Sequence, residues 1–297
     1  MRLADLVDCS VAVWGSGRAA RAAVTAIAAH TPSRLLAVDD TAHFLDVSWE
    51  GEVAALAPLA GGEHAFGALV SADVVVRSPD VPRDHPWLAE LRARRIRVTS
   101  GGALWMAGNA PRTVGVTGGK RASETAALIG HLLTAVGRPN VVGAPGVPLL
   151  DLAESDLYVL ELSGEESADL ADAPRVAVLA SLSPEHPGEL AFLARGPELI
   201  VVNGADPALL AEIKDVRDAS GWAPIVVGTA DSRFRIGSDA AVYASDTRLF
   251  PRETFARPGE HDGEHLCVAL AVLDGMGVDV VDVRSVLEKA VATFPAE

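Results

Sequence analysis

Thr113-Val114-Gly115-Val116-Thr117-Gly118-Gly119-Lys120-Arg121-Ala122-Ser123-Glu124-Thr125 joins an apolar, strand-like run to a pair of glycines and then to an alanine-rich helical stretch. Strand, glycine turn and helix in that order are the setting of a phosphate-binding loop, in which backbone N–H groups at a helix N-terminus face an anion. A complete loop also needs a lysine for the terminal phosphates and a Ser or Thr for magnesium. Only fragments of that set are present, in Gly118, Gly119, Lys120 and Ser123.

The same alternation runs through the rest of the chain. Ser10 to Trp14 is an apolar run, Gly15-Ser16-Gly17-Arg18-Ala19-Ala20 follows, and a helical stretch reaches about His30. Arg34 to Val38 then reads as a strand that stops at Asp39-Asp40. A glycine-rich turn there lets a diphosphate approach the backbone, and an acid after the second strand can bind a ribose or base. The same glycines also serve plain strand-to-helix packing, so both readings stand. Ala72 to Arg77 reads as a buried strand. Beyond a polar turn at Gly108-Asn109-Ala110-Pro111, strands are expected near Asn140 to Val142, Leu157 to Leu162, Arg175 to Ser181 and Leu199 to Asn203. Helices are expected from Ser123, over Leu266 to Met276 and over Val280 to Phe294. The order predicts parallel β-α-β units with both sheet faces covered.

Composition narrows the function classes. The 297 residues suffice for two domains, and a formal charge of −15 disfavours nucleic acid and anionic lipid as partners. No apolar run reaches the roughly 18 residues of a membrane span, so no membrane insertion is expected. Met1 opens onto Arg2, Asp5 and Asp8 rather than a signal peptide, which points to the cytoplasm. Cys9 and Cys267 sit in apolar settings and read as reduced core thiols. Lys120, Lys214 and Lys289 are the three lysines of the sequence, so any lysine chemistry must use one of them.

Several further words share one likeness. Leu128-Ile129-Gly130-His131 ends the helix after the loop, and Ser78-Pro79-Asp80-Val81-Pro82 is followed by His85-Pro86. Leu157-Tyr158-Val159-Leu160-Glu161-Leu162-Ser163, Ser181-Leu182-Ser183-Pro184-Glu185-His186 and Pro258-Gly259-Glu260-His261-Asp262-Gly263-Glu264-His265 complete the set. Together they resemble the Mur ligase family, most closely its branch that joins D-glutamate to UDP-N-acetylmuramoyl-L-alanine. The resemblance implies an α/β chain: a Rossmann-like domain over 1–109 for a UDP-sugar substrate, and a P-loop-type, parallel-sheet central domain over 110–297. It implies substrate contacts from Gly15, Ser16, Gly17, Asp39, Ser78 and Pro79, and nucleotide contacts from Gly118, Gly119, Lys120, Ser123 and Asp262. Glu161 and His186 would be metal ligands, with Mg and ATP as cofactors if ligation survives.

Departures from the family pattern cut against that chemistry. Aligned without a gap on Leu128 to His131, Gly119, Lys120, Arg121 and Ala122 stand where the family has T, N, G and K. Alternatively Lys120 is the phosphate lysine in a loop two residues shorter, and Arg121 then stands where magnesium wants a hydroxyl. The family's carbamoylated lysine has no counterpart between His186 and Leu199, and Lys214 lies past the next strand. Asp80 replaces a glycine, Ser100-Gly101-Gly102-Ala103-Leu104 replaces G-D-I-E-L, and Asp262 and His265 replace two asparagines. His261 to His265 also spells the zinc-peptidase pattern H-x-x-E-H, which in this context reads as coincidence. Asp80, Glu165, Glu166 and Asp262 suggest clefts made polar. The chain ends at Glu297, where the family continues into a C-terminal domain. The combined expectation is a pseudo-ligase, silent in ATP-dependent ligation when alone, that binds a UDP-sugar-type ligand or a protein partner on the face left by that domain. Two alternatives stay open: a subunit of a split ligase, and an ATP-independent enzyme on a related substrate.

Overall fold

The computed structural model describes residues 1–41, 52–143, 146–182, 188, 190–220, 223–251, 254 and 262–294. The chain forms two compact units. One comprises Met1–Asn109 with Gly146–Leu152 and Asp169–Asp172; the other comprises Ala110–Pro145, Ala153–Ala168 and Ala173–Glu297.

The first unit runs β1 (Ser10–Trp14), α1 (Arg18–Ala28), β2 (Arg34–Asp39), α2 (Glu52–Leu56), β3 (Leu59–Gly61), α3 (Ala65–Val70), β4 (Val74–Arg77), α4 (Pro86–Ala93), β5 (Arg97–Ser100) and α5 (Gly101–Asn109). Its described strands form one sheet in the order β3-β2-β1-β4-β5, parallel throughout. Successive side chains of a strand face opposite sides, so a sheet covered on both faces needs apolar residues at every position. Accordingly Val11, Val13, Val74 and Val76 pack with Val24 and Ile27 of α1. Ala12, Trp14 and Val75 pack on the other face with Leu69 of α3 and with Leu88 and Leu91 of α4. The connection from β1 goes to β2 on one side while β4 lies on the other. The switch in strand order therefore falls between β1 and β4, where a crevice opens at the strands' carboxyl ends.

In the second unit come β6 (Thr113–Thr117), α6 (Lys120–Ala135), β7 (Val141–Gly143), β8 (Tyr158–Glu161), α7 (Gly164–Asp169), β9 (Val176–Leu179), β10 (Leu199–Asn203), α8 (Pro207–Ser220) and β11 (Ile225–Val227). After them follow β12 (Phe234–Ile236), β13 (Ala241–Ala244), β14 (Thr247–Pro251), α9 (Asp262–Gly275) and α10 (Arg284–Thr293). A parallel sheet has the order β11-β10-β9-β6-β8-β7, and β12, β13 and β14 form a small antiparallel sheet.

Helix α9 explains that small sheet. Leu266 through Leu273 are all buried, and a helix apolar all round must be enclosed on every side. Its core includes Leu128 and Ile129 of α6, Val178 and Val201 of the parallel sheet, and Phe234, Val242 and Phe250 of the antiparallel one. The helix expected from Ser123 begins three residues earlier, at Lys120, because Gly119 turns the chain with φ 56° and serves as the N-cap. The helix expected from Val280 begins only at Arg284. Asp279 Oδ1 accepts from the N–H groups of Val281 and Asp282, and this turn takes up the residues in between.

Cys267 lies fully buried in α9. Burial pushes its thiol up to about 12, with the Glu264 carboxylate adding to the rise. The folded thiol therefore stays neutral while an unfolded one ionises above pH 9, so this group makes stability fall as pH rises from about 9 to 12. At pH 8 in the native protein a disulfide reagent should label Cys9, which is half-buried, and reach Cys267 only at the rate of unfolding. Stoichiometric prompt labelling of both thiols would contradict this burial. Among the described residues no helix is long and apolar enough to cross a membrane.

Candidate functional site

At the crevice of the first unit two turns close on each other. Gly15 N–H donates to Val38 O at 2.9 Å, and Ser78 N–H donates to Trp14 O at 2.8 Å. Gly15 has φ 128°, and a Cβ there would lie 2.6 Å from Ser78 Cβ, so only glycine permits the approach. Gly15 to Gly17 thus stand at the N-terminus of α1, beside Ser78 and the exposed Pro79.

The hollow of this loop contains Asp80. Its Oδ2 accepts the Ser16 N–H at 2.8 Å. Its oxygens lie 2.8 and 3.0 Å from the position a Gly15 Cβ would take, and Oδ1 lies 3.7 Å from that of Gly17. The Ser78 hydroxyl is buried with no hydrogen-bonding partner among the described residues. Asp39 is buried, and its Oδ1 accepts from the N–H (2.9 Å) and hydroxyl (2.6 Å) of Thr41. It closes a turn. The neighbouring Asp40 is the acid held among aromatic rings, with Oδ1 accepting from Trp14 Nε1 at 2.9 Å and Oδ2 lying 3.1 Å from His85 Nε2. Trp14 stacks on Trp87 and meets His85 edge-on. The sequence signal for Asp40 was its place beside Asp39, but adjacency alone does not say which carboxylate turns toward the rings.

The loop of the second unit lies between β6 and α6. Gly118 has φ 133°, and a Cβ on it would come within 2.4 Å of the Ser181 backbone nitrogen. The Gly118 carbonyl accepts from the Ser181 hydroxyl. Lys120 is the first residue of α6, and Ala122, its third, is 1% exposed. Ser123 follows, and its Oγ donates to Glu161 Oε2 at 2.5 Å from the end of β8. These two adjacent oxygens are of the kind a hard divalent cation takes. His186 and His261 lie outside the described residues, and Asp262 opens α9. Among the described residues no group of three His, Cys, Asp or Glu side chains is placed to hold a metal ion.

Around this loop sit groups that the sequence reading did not bring together. Arg121 Nη1 lies 3.4 Å from Glu264 Oε2, which also receives Asn203 Nδ2 at 3.4 Å. His265, 6% exposed, faces α6 with Nδ1 3.1 Å from Thr125 Oγ1. The Thr125 hydroxyl also donates to Arg121 O at 2.7 Å, which ties His265 to the first turn of α6. Glu166, expected to line a polar cleft, instead completes a capping box: its Oε2 accepts Ser163 N–H at 3.0 Å and its own N–H donates to Ser163 Oγ at 3.2 Å.

Comparison with known proteins follows the same lines. The chain is 54% identical over 308 residues to a UDP-N-acetylmuramoyl-L-alanine–L-glutamate ligase of Micromonospora sp., covering 99% of this chain and 67% of that protein. It is 52% identical to the ligase of the same name from Salinispora tropica, covering 99% and 68%, and 31% identical to that of Xylella fastidiosa, covering 95% and 64%. The chain thus spans about two thirds of the length of these relatives. Their names carry L-glutamate, where the sequence resemblance implied the D-enantiomer. Among solved structures, the UDP-N-acetylmuramate:L-alanyl-gamma-D-glutamyl-meso-diaminopimelate ligase of Neisseria meningitides superposes with a TM-score of 0.60 at 17% identity, covering 97% of this chain and 99% of that one. The UDP-N-acetylmuramate-alanine ligase of Thermotoga maritima gives 0.52 at 17% identity, covering 95% and 68%. At such identities these structures show the fold. No family model matches the chain.

Proposed function

The chain belongs to the Mur ligase family, and on that premise we propose that it is a Mur-ligase scaffold with a UDP-sugar-type crevice that does not perform ATP-dependent ligation by itself. The observation that carries this reading is the buried Ala122 directly before the Ser123–Glu161 contact. A phosphate loop places its lysine one residue before the hydroxyl that meets magnesium. The contact supports the ungapped alignment, in which that hydroxyl is Ser123 and the lysine position is Ala122. Transfer of a phosphoryl group to a carboxylate develops charge on the terminal phosphate, and fixed cations aimed at it are what lower the barrier. A methyl group supplies none. Ser123 and Glu161 would suit magnesium, while the lysine position does not suit the nucleotide's terminal phosphates. Lys214 on α8 and Lys289 on α10 belong to other elements.

A second reading has its own support. The 54% and 52% identity to proteins named ligases, the Ser123–Glu161 oxygens, and Arg121 as a cation beside the loop favour a working ligase for L-glutamate, in which Arg121 or Lys120 takes the phosphate charge. Release of ADP in the presence of UDP-N-acetylmuramoyl-L-alanine and L-glutamate separates the two. The scaffold reading expects none above a no-enzyme control. Turnover by the purified chain would establish the ligase and discard the scaffold.

A further inference from the structure

We propose that Asp80 is a built-in anion seated in the glycine loop of the first unit, and that it sets that crevice's specificity by competing with the diphosphate of an incoming nucleotide. The inference rests on the reading of the first unit as a UDP-sugar-type crevice. The N-terminus of α1 carries partial positive charge and unpaired N–H groups, and an anion is the natural occupant. No side chain of α1's own first turn supplies one, since its N-cap is Gly17 and the first turn holds no acid. The carboxylate comes instead from the turn after β4. It accepts Ser16 N–H at 2.8 Å and lies against Gly15 and Gly17. That is the space a diphosphate needs if it is to reach the loop backbone.

Displacing Asp80 does not remove the problem for a ligand. An exposed Asp80 can rotate away, but its charge stays on the same turn, within a few ångströms of the phosphates, where like charges repel. Ser78, two residues earlier, packs its Cβ against Gly15, and its buried hydroxyl has no partner among the described residues. The crevice therefore retains a polar group suited to a ligand while its anion seat is already filled. A nucleoside without phosphates escapes the competition; a nucleoside diphosphate does not.

Calorimetric titration of the whole chain with uridine, UDP and inorganic pyrophosphate tests this, using wild type, Asp80→Asn and Asp80→Gly. Asp80→Asn keeps the side chain's size and an acceptor for Ser16 N–H while removing the charge, so it guards against loss of fold. Asp80→Gly empties the seat. Thermal melting of each variant verifies that it is folded. The expected result is UDP affinity raised about tenfold or more by Asp80→Asn and at least as much by Asp80→Gly, a parallel gain for pyrophosphate, and no change for uridine. Equal UDP affinity in all three proteins, including silence in all three, overturns the proposal. So does a uridine affinity that rises as much as that of UDP, which would mean that the substitution reshapes the crevice rather than lifting a charge. None of these titrations depends on the second unit's loop, so either reading of the ATP chemistry can fail without deciding this one.

Discussion

Replacing Gly118 by alanine should lower the stability of the second unit by about 3–5 kcal/mol, the sum of a strained backbone and an overpacked contact. The φ of 133° lies where an L side chain rarely goes, and the new Cβ would stand 2.4 Å from Ser181 N and 2.8 Å from Ser181 O. Both obstacles are backbone atoms anchored by the sheet: Ala180 N–H donates to Thr117 O at 2.9 Å, so the β9 end cannot retreat without breaking the pairing next to the loop. Urea denaturation measures the change. Gly137→Ala is the matched comparison, since Gly137 has φ 78° and nothing within 4 Å of its Cβ position. It should cost only about 1 kcal/mol. Equal losses at the two sites would mean that the close approach of the loop to β9 carries no weight.

The double substitution Arg121→Gly with Ala122→Lys restores the Gly-Lys pair ahead of Ser123, and it should raise Mg-ATP affinity between about tenfold and a hundredfold. One charge-assisted hydrogen bond to phosphate contributes about 1.5–3 kcal/mol, which corresponds to that range. Removing Arg121 also takes away the guanidinium 3.4 Å from Glu264, so part of the gain would be offset by that acid's charge. Arg121→Gly alone separates that cost, and should bind no better than wild type. If the double variant stays folded by thermal melting and gains nothing, Ala122 is not at the phosphate-lysine position.

The parallel framework was legible because its strands are buried on both faces and bounded by glycines or polar turns. Ser10–Trp14 and Leu199–Asn203 emerge with the limits read from the sequence. The antiparallel sheet escaped because its strands are three to five residues long and two positive-φ positions around it, Ala240 and Ser245, are occupied by residues that do not advertise a turn. Both glycine loops could be seen as well, for their setting between strand and helix is a matter of order along the chain. What fills them could not. Asp80 was recognisable as an intruder, but its bond to Ser16 depends on the β1–β4 adjacency, which joins residues 64 apart. Asp39 and Asp40 show the same limit, since spacing finds the pair and only packing decides which of the two faces Trp14 and His85. Glu166 read as a cleft acid until the backbone of α7 gave it an N-terminal cap to complete.

Titration calorimetry of the purified chain with Mg-ATP reads the state of the phosphate loop itself. A chain with a methyl group at the phosphate-lysine position should give no saturable heat up to millimolar nucleotide; saturable micromolar binding by the unmodified protein would contradict the account and assign the phosphate charge to Lys120 or Arg121.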